Sequence, residues 1–286
     1  EASSAYWEVS VVKDVRISFV ILTWNSRKFV SACLESVLGL GDVCLEVHVE
    51  DNGSTDGTPE MLEALAVSDR RLHVEYLDSN LGTTVSRNLA LRRVSPEATH
   101  VCVLDSDTVI NREAFHLMVE ALQRDSRIGV VGPTMMSSSG DVQHSGRNLP
   151  TFAIKVGKAC PFEKLSKRAH EAEIPTTPII GGLQDVGYLL SACWLMPKST
   201  IDVVGLLDER IFYAPEDVDW CLRCHKAGLR VVLVHGARIV HEYQRISRRK
   251  LVSKANCEHI KGLAYYFFKH RYFVKPPQFE IEGEKR

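Results

Sequence analysis

The sequence predicts an α/β protein built on a doubly wound, mostly parallel sheet. Short apolar runs alternate with helical segments through the first half of the chain, which is the pattern of parallel strands joined by crossover helices. Polar residues follow each of these runs at once, as expected where strands end at a ligand-binding edge. With 286 residues, 45% of them hydrophobic, the chain is long enough to bury one large core.

The individual elements are predicted from these runs in chain order. Strands are predicted at 16–23, 45–49, 72–77 and 101–104, with helices between them at about 27–38, 58–67 and around Arg87. Further strands are predicted at 128–133, 188–196 and 231–234, with a helix at 216–227. Residues 134–187 show little periodicity and are interpreted as an irregular insert over the binding edge. The main domain is predicted at 15–245. A helical extension is predicted at 246–286, with basic residues followed by aromatic ones, and we expect it to pack on the domain or on a membrane surface.

Composition excludes several classes of protein. A net charge of −1 gives no reason to expect nucleic acid as a partner. No apolar run approaches the ~20 residues that span a bilayer, and the first residues lack the pattern of a signal peptide. Eight scattered cysteines suggest reduced core thiols. We therefore expect a soluble cytoplasmic protein, and peripheral contact with the inner face of the cell membrane stays open.

One cysteine motif needs separate treatment. Cys221, Cys224 and His225 have the spacing of a c-type haem attachment site. They lie within a predicted amphipathic helix, and no second cysteine pair accompanies them to complete a zinc site. Neither haem nor zinc is expected.

Two carboxylates follow the fourth predicted strand directly. Asp105 and Asp107 flank Ser106, and residues two apart in an extended segment share a face. Oxygen ligands of this kind suit Mg²⁺ or Mn²⁺. The alternative is a polar turn in which one acid caps the next helix. Thr23, Asp51 and Asn80 follow the other strands, so in a parallel sheet all these side chains line one nucleotide-sized pocket.

Seven motifs follow one another along the chain. They are Ile-Leu-Thr-Trp-Asn at 21–25, Asp-Asn-Gly-Ser-Thr-Asp at 51–56, Asn-Leu-Gly at 80–82, Arg-Asn at 87–88, Asp-Ser-Asp at 105–107, Glu-Asp-Val-Asp at 216–219, and His241. In this order they resemble the family-two inverting glycosyltransferases. The segments 128–133, 207–209 and 212–217 resemble the bacterial rhamnosyltransferase branch. The resemblance implies the glycosyltransferase A fold, with 15–245 as its catalytic domain and a nucleotide-sugar site at the carboxyl ends of the strands.

The resemblance also implies roles in binding the donor. Asp51 accepts a hydrogen bond from the ring N–H of the base, and Thr23, Asn25, Asn80, Arg87, Asp105 and Ser106 line the donor pocket. Asp105, Asp107 and His241 hold the metal. The residues alone leave alternatives open. Asp51 could instead form an Asx turn, and Arg87 could lie on the surface of its helix. His241 could be a structural residue held by hydrogen bonds.

A second acidic group is implied to carry the chemistry. Asp217 is the expected catalytic base, and Glu216 is expected to contact acceptor hydroxyls. The alternative is that these acids only favour the positive end of their helix. Two residues depart from the family pattern: Glu50 replaces an apolar residue, and Ser191 replaces a glycine near the donor sugar.

These observations predict a metal-dependent inverting glycosyltransferase that uses Mg²⁺ or Mn²⁺. The expected donor is dTDP-rhamnose, and the expected acceptor is a hydroxyl of a cell-surface glycan or a lipid-linked sugar. A UDP-hexose or UDP-N-acetylhexosamine transferase is the close alternative. A non-catalytic nucleotide-sugar-binding subunit and a nucleotidyltransferase are alternatives of other classes. The sequence predicts neither the linkage nor the oligomeric state.

Overall fold

A mixed sheet organises the chain, which the structure, a computed structural model, describes over residues 14–242 and 254–279. The first half of the sheet contains β1 (Arg16–Thr23), β2 (Cys44–Asp51), β3 (Leu72–Tyr76) and β4 (His100–Asp105). These strands are all parallel and stand in the order β3-β2-β1-β4. They are joined by α1 (Val30–Leu38), α2 (Thr58–Ser68) and α3 (Thr83–Leu91). The predicted alternation of strands and helices is confirmed.

The second half of the chain extends this sheet with strands of both directions. Its elements are β5 (Thr108–Val109), α4 (Arg112–Arg124), β6 (Ile128–Met136), β7 (Val142–Gln143), β8 (Gly146–Arg147), α5 (Phe152–Ala159), α6 (Glu163–Ala172), β9 (Ile179–Ile180), β10 (Leu183–Asp185), β11 (Tyr188–Leu189), β12 (Cys193–Pro197), α7 (Lys198–Val204), α8 (Glu216–Lys226), β13 (Arg230–His241) and α9 (Lys254–His270). The sheet continues from β4 through β12, β6, β13, β10 and β9. β12 is antiparallel to β4 and β6, whereas β13 is parallel to β6.

Hydrophobic cores lie on both faces of the sheet, as a doubly wound fold requires. Along β1, Phe19 and Ile21 join one core, whereas Val20 joins the other. The cysteines of the haem-like motif belong to the second core: Cys221 and Cys224 are buried. The His225 ring nitrogen Nε2 lies 3.1 Å from two backbone carbonyl oxygens, so the motif is part of the packing.

The predicted irregular insert at 134–187 is partly wrong, because it contains the helices α5 and α6 and four short strands. The Thr151 side chain caps α5 by accepting a hydrogen bond from the Ile154 N–H at 3.2 Å. In α6 the one fully buried residue is Ala169. The two helices are short, with eight and ten residues, and α5 carries Gly157 in its interior, which weakens the helical signal.

The predicted strand at 188–196 is also interrupted. It divides into β11 and β12, and residues 190–192 between them leave the regular strand. Ser191 lies in this break and is buried. The interruption therefore places the polar Ser191 side chain in a segment between two strands rather than within a strand.

The described part of the C-terminal extension packs on the domain. Tyr266 and Phe267 of α9 are buried in the second core. A Cβ atom on Gly262 would lie 2.1 Å from the carbonyl oxygen of Ala214, so α9 touches the segment before α8 at backbone distance. The basic residues 248–250 predicted for a membrane surface lie outside the described residues. Among the described residues, no helix is long and apolar enough to cross a bilayer.

Candidate active site

Three of the predicted metal-binding side chains meet at the carboxyl end of β4. Asp105 ends β4, Asp107 follows it, and His241 ends β13. The antiparallel pairing of β5 with β13 sets Thr108 opposite His241. One ligand atom from each of Asp105, Asp107 and His241 lies within 4.8 Å of the others. The predicted residues are therefore together, and their oxygen and nitrogen donors fit one divalent cation.

A glutamine from the insert fixes which His241 nitrogen faces the acids. The Gln143 Nε2 amide donates to the His241 carbonyl oxygen at 2.9 Å, which orients the amide group. Its Oε1 atom then lies 2.9 Å from the His241 Nδ1 atom, and an amide oxygen can only accept. Nδ1 therefore carries the proton, and the Nε2 lone pair lies 3.5 Å from Asp107 Oδ1. Burial also lowers the pKa of His241, which favours the neutral ring that coordinates metals.

Arg87 joins this cluster to the second acidic group. Its side chain is 2% exposed, so the helix-surface alternative is excluded. One Nη atom pairs with Asp105, and the other donates to the Ser191 hydroxyl at 2.8 Å and lies 3.5 Å from Glu216 Oε1. The Arg87 Nε–H has no hydrogen-bond partner among the described residues. Ser191 donates in turn to Glu216 Oε1 at 2.9 Å, so the serine links the cation to the acid.

The first turn of α8 carries Glu216 and Asp217. Burial and the charge of Asp217 raise the pKa of Glu216 to about 8, although Arg87 opposes this. Burial also raises the pKa of Asp217, but its own helix N–H and the cations Lys155 and Arg147 lower it. Asp217 is only partly buried, whereas Glu216 is buried. Burial and the neighbouring carboxylate therefore favour the protonated form of Glu216, whereas the cations and the helix N–H favour the ionised form of Asp217.

The second Asp-x-Asp motif of the chain does not reach the metal cluster. Asp219 is fully buried and accepts from Arg223 at 2.9 Å, Lys269 at 2.6 Å and His270 at 2.8 Å. Although burial opposes it, the contacts with His270 and Lys269 lower the pKa of Asp219 to about 2. Asp219 thus anchors α8 to α9.

Thr23 and Asp51 lie side by side at the ends of β1 and β2. Both are buried, and the Thr23 Oγ1 atom has no hydrogen-bond partner within the described part of the chain. Asp51 accepts from the Ser54 hydroxyl and, at 3.0 Å, from the Ser54 N–H, which is three residues on rather than the two of an Asx turn. Burial raises the pKa of Asp51. An unsatisfied hydroxyl beside a buried carboxylate suits a polar ligand at this edge.

The other predicted donor-pocket residues contact neighbouring loops. Asn25 Oδ1 accepts from a backbone N–H of the loop after β2 at 2.8 Å. Asn80 Oδ1 accepts from the Gly82 N–H at 2.9 Å, and the Ser106 hydroxyl donates to Ser26 at 2.8 Å. These three side chains therefore hold the loops of the pocket edge together. Gly82 has a φ of +89°, and a Cβ there would lie 2.4 Å from the Phe212 carbonyl oxygen, so only glycine fits.

The two departures from the family pattern have structural partners. Glu50 is 1% exposed and pairs with Arg93, which compensates part of the cost of burying the acid. Burial nevertheless raises the pKa of Glu50. Ser191 faces Arg87 and Glu216, so it belongs to the acidic centre rather than to a strand.

Sequence reasoning did not find Gln143, the Asp219 anchor or a cation cluster formed by Arg147, Lys155 and Lys158. The cluster surrounds Glu173, with Arg147 at 3.0 Å and Lys155 at 3.1 Å. All of these partners except Asp219 come from the insert, where no periodic signal placed them. The one available signal was the density of basic residues on α5.

Comparison with known proteins agrees with this geometry. Residues 18–173, more than half of the chain, match the family Glycosyl transferase family 2. The N-acetylglucosaminyl-diphospho-decaprenol L-rhamnosyltransferase of Mycobacterium tuberculosis is 28% identical over 274 residues, which cover 90% of this chain and 86% of that protein. The poly-beta-1,6-N-acetyl-D-glucosamine synthase of Staphylococcus aureus is 26% identical over 124 residues, 43% of this chain and 29% of that protein.

Solved structures share the fold. GalNAc-T7 with UDP, GalNAc and Mn²⁺ superposes with a TM-score of 0.66 at 14% identity, over 89% of this chain and 48% of that chain. The mannosyltransferase PcManGT from Pyrobaculum calidifontis, in complex with GDP-Man and Mn²⁺, gives 0.59 at 17% identity, over 96% of this chain and 72% of that chain. The predicted fold and family are confirmed. The chain belongs to glycosyl transferase family 2 and has the glycosyltransferase A fold that its motifs predict.

Proposed function

We propose that this glycosyltransferase is a metal-dependent inverting enzyme that transfers rhamnose from dTDP-rhamnose to a hydroxyl of a lipid-linked acceptor. The name of the mycobacterial relative contains both L-rhamnosyl transfer and a diphospho-decaprenol acceptor, which supports both substrates. A UDP-hexose or UDP-N-acetylhexosamine is the alternative donor, because uracil and thymine present the same ring N–H to Asp51. The product would extend a cell-surface glycan.

One observation carries the proposal: two separate acidic centres contact the two terminal nitrogens of Arg87. Asp105, paired with one Nη atom, belongs to the cluster with Asp107 and His241. Glu216, at the other Nη atom, is followed directly by Asp217. A transferase that inverts its sugar needs two such centres, one for the leaving group and one for the attacking hydroxyl, since these occupy opposite faces of the anomeric carbon.

Each centre has a chemical task. Asp105, Asp107 and His241 would hold Mg²⁺ or Mn²⁺, which when bound offsets the charge on the departing diphosphate. Asp217 takes the proton of the acceptor hydroxyl as its oxygen bonds to the anomeric carbon and the bond to the diphosphate breaks. Glu216 accepts hydrogen bonds at Oε1, so its proton lies on Oε2, from which it donates to an acceptor hydroxyl.

Replacing the base tests the assignment. Asp217→Asn keeps the shape of the side chain but cannot take a proton, so kcat should fall by about 10²–10⁴-fold. Affinity for the donor nucleotide, measured by calorimetry with Mn²⁺ present, should stay within about twofold of wild type because the metal cluster is intact. Asp202→Asn, an exposed acid on α7, is the matched control and should retain full turnover.

The donor and the reaction class are tested by product analysis. Incubation with dTDP-rhamnose and each UDP-sugar, followed by assay of the released nucleotide diphosphate, identifies the donor. Release of pyrophosphate would instead identify a nucleotidyltransferase. If Asp217→Asn transfers sugar as fast as wild type, Asp217 is not the base and the proposed mechanism is wrong.

A further inference from the structure

An open apolar groove lies between the helices α5 and α6 of the insert. Its volume is about 510 Å³, which is in the range of small-molecule binding sites. Val156 of α5 and Leu165 of α6 line it and are 52% and 49% exposed. The remaining lining residues are Phe152, Ala153, Ile154, Gly157, Cys160, Arg168 and Ala169. Apolar side chains gathered in an exposed concave surface are typical of a binding site.

The apolar surface continues beyond the groove onto the C-terminal segment. The Phe152 ring lies 6.1 Å from the Phe267 ring, and the Phe152 N–H donates to the Phe273 carbonyl oxygen at 2.9 Å. The Phe273 ring in turn lies 6.0 Å from that of Phe268, which is 72% exposed. The groove is therefore the deepest part of a continuous apolar strip.

A cation cluster borders the groove on the side of the active site. Arg147, Lys155 and Lys158 all contact Glu173, which is 2% exposed. Although burial opposes it, Lys155 and Lys158 lower the pKa of Glu173 to about 2, so the acid is charged at neutral pH. Within the described residues Glu173 is the one carboxylate in ion-pair contact with these three cations. The three cations exceed Glu173 by two charges and the nearby Asp217 offsets one of these, so one positive charge is left for another anion.

The cluster also adjoins the proposed base. Lys155 and Arg147 lie close enough to Asp217 to favour its ionised form. Phe152 and Val156 of α5 line the groove, whereas Lys155 and Lys158 of the same helix contact Glu173 instead of lining it. One helix thus presents cations beside the acidic pair and apolar groups to the groove.

We propose that α5, α6 and this cation cluster form the acceptor site, which takes a sugar joined through diphosphate to an apolar chain. The inference rests on the proposed function and adds the place where that acceptor binds. Asp217 takes the proton of the sugar hydroxyl, Arg147, Lys155 and Lys158 bind the diphosphate, and the groove takes the start of the chain. A concave groove next to a charged cluster fits one amphiphilic molecule, whereas a bilayer surface requires a projecting apolar face.

The test compares two acceptors that differ only in their chain. The probes are N-acetylglucosaminyl diphosphate esterified with farnesyl or with methyl, used with the donor that the wild-type protein turns over. The wild-type KM for the farnesyl probe should be lower by about tenfold or more, which corresponds to ~1.4 kcal/mol of chain contact. Val156→Asp and Leu165→Asp place a charge in the groove and should reduce this KM ratio to within about threefold of one.

Matched controls separate the groove from general effects. Val67→Asp on α2, at an apolar position that is 86% exposed, should keep the wild-type KM ratio. Lys158→Gln should raise the KM of both diphosphate probes by about tenfold, whereas Lys164→Gln on the exposed face of α6 should not. Melting temperatures of all five variants show whether they are folded.

Three results would overturn the acceptor site. The first is a wild-type KM that is equal for the two probes, and the second is a KM ratio unchanged in the groove variants. The third is a loss of transfer in the groove variants only when the farnesyl probe is embedded in vesicles, which would assign the strip to a bilayer. If the wild type transfers sugar to neither probe but does transfer it to another acceptor, the proposed function itself fails.

Discussion

Arg87 is the residue whose removal should affect both halves of the site at once. The planned change is Arg87→Met, which keeps much of the side-chain volume but removes the charge and five N–H donors. In the wild type this guanidinium pairs with Asp105 and contacts Ser191 and Glu216. The substitution leaves Asp105 without its cation and breaks the link to α8.

The size of the effect follows from burial. Breaking a buried ion pair by removing one partner costs about 3–5 kcal/mol. Here the lower end applies, because the Asp105 side chain is 34% exposed and water can solvate it once Arg87 is gone. Glu216 holds a proton at neutral pH and adds little to the charge imbalance. With an unfolding entropy of about 2.1 cal/mol/K per residue, a loss of ~3 kcal/mol lowers the melting temperature by about 5 °C.

The assay is thermal unfolding at neutral pH, with Arg92→Met, at the C-cap of the same helix, as the matched control. Arg92 pairs with Glu209, but the two side chains are 50% and 42% exposed, so this substitution should cost less than about 1 kcal/mol, or under about 2 °C. Arg87→Lys should recover less than half of the lost melting temperature, because one ammonium cannot replace a planar guanidinium whose two terminal nitrogens bind different partners. An Arg87→Met protein that melts within about 1 °C of Arg92→Met would refute the buried bridge.

Three further predictions address the metal cluster, the C-terminal helix and the base. Gln143→Leu removes the contact that orients His241, so it should weaken Mn²⁺ binding by about 10–100-fold in calorimetry. Gln184→Leu removes a similar contact between an amide and a histidine, but away from the acids, and should leave Mn²⁺ binding unchanged. Gly262→Ala should destabilise the fold by about 1–3 kcal/mol in urea unfolding because its Cβ would overlap a backbone oxygen, and Gly41→Ala, with nothing within 4 Å, should not. Since burial raises the pKa of Asp217 and the base must be ionised, kcat should fall with decreasing pH at values above the ordinary aspartate range of about pH 4; a rate that stays level down to pH 4 would contradict this.

Much of the fold follows from local patterns in the sequence. The first four strands are continuous β-favouring runs, and their observed bounds lie within a few residues of those predicted. Because the strands are parallel, the side chains that follow them had to meet at one edge, and Thr23 and Asp51 do so in register. The ordered motifs then gave the family, which no single motif could have done.

The parts that were not predicted depend on contacts between distant segments. β13 runs to His241, well beyond the predicted 231–234, because it continues past an irregularity between Val234 and Arg238 that interrupts the apolar pattern. Gln143 lies 98 residues before the histidine that it orients. The resemblance implied a pocket position for Arg87, but nothing in its own helix shows that it contacts both Asp105 and Glu216. Tertiary structure determines where such side chains lie, and the periodicity of the sequence does not report it.

The proposed reaction brings together two diphosphates that must not compete for the same cations. The donor diphosphate leaves after each transfer, and the acidic cluster of Asp105 and Asp107 has no affinity for it without an added cation. The acceptor diphosphate has to be held while its sugar is extended, and Lys155 and Lys158 would supply positive charge there without a cofactor, although burial lowers the pKa of Lys158. Asp217 lies near Lys155 and Arg147, and as an anion it would repel a donor diphosphate that approaches from the acceptor side. In the proposed mechanism these charges would direct each diphosphate to its own half of the site, so that the donor leaving group and the acceptor hydroxyl reach the sugar from opposite faces.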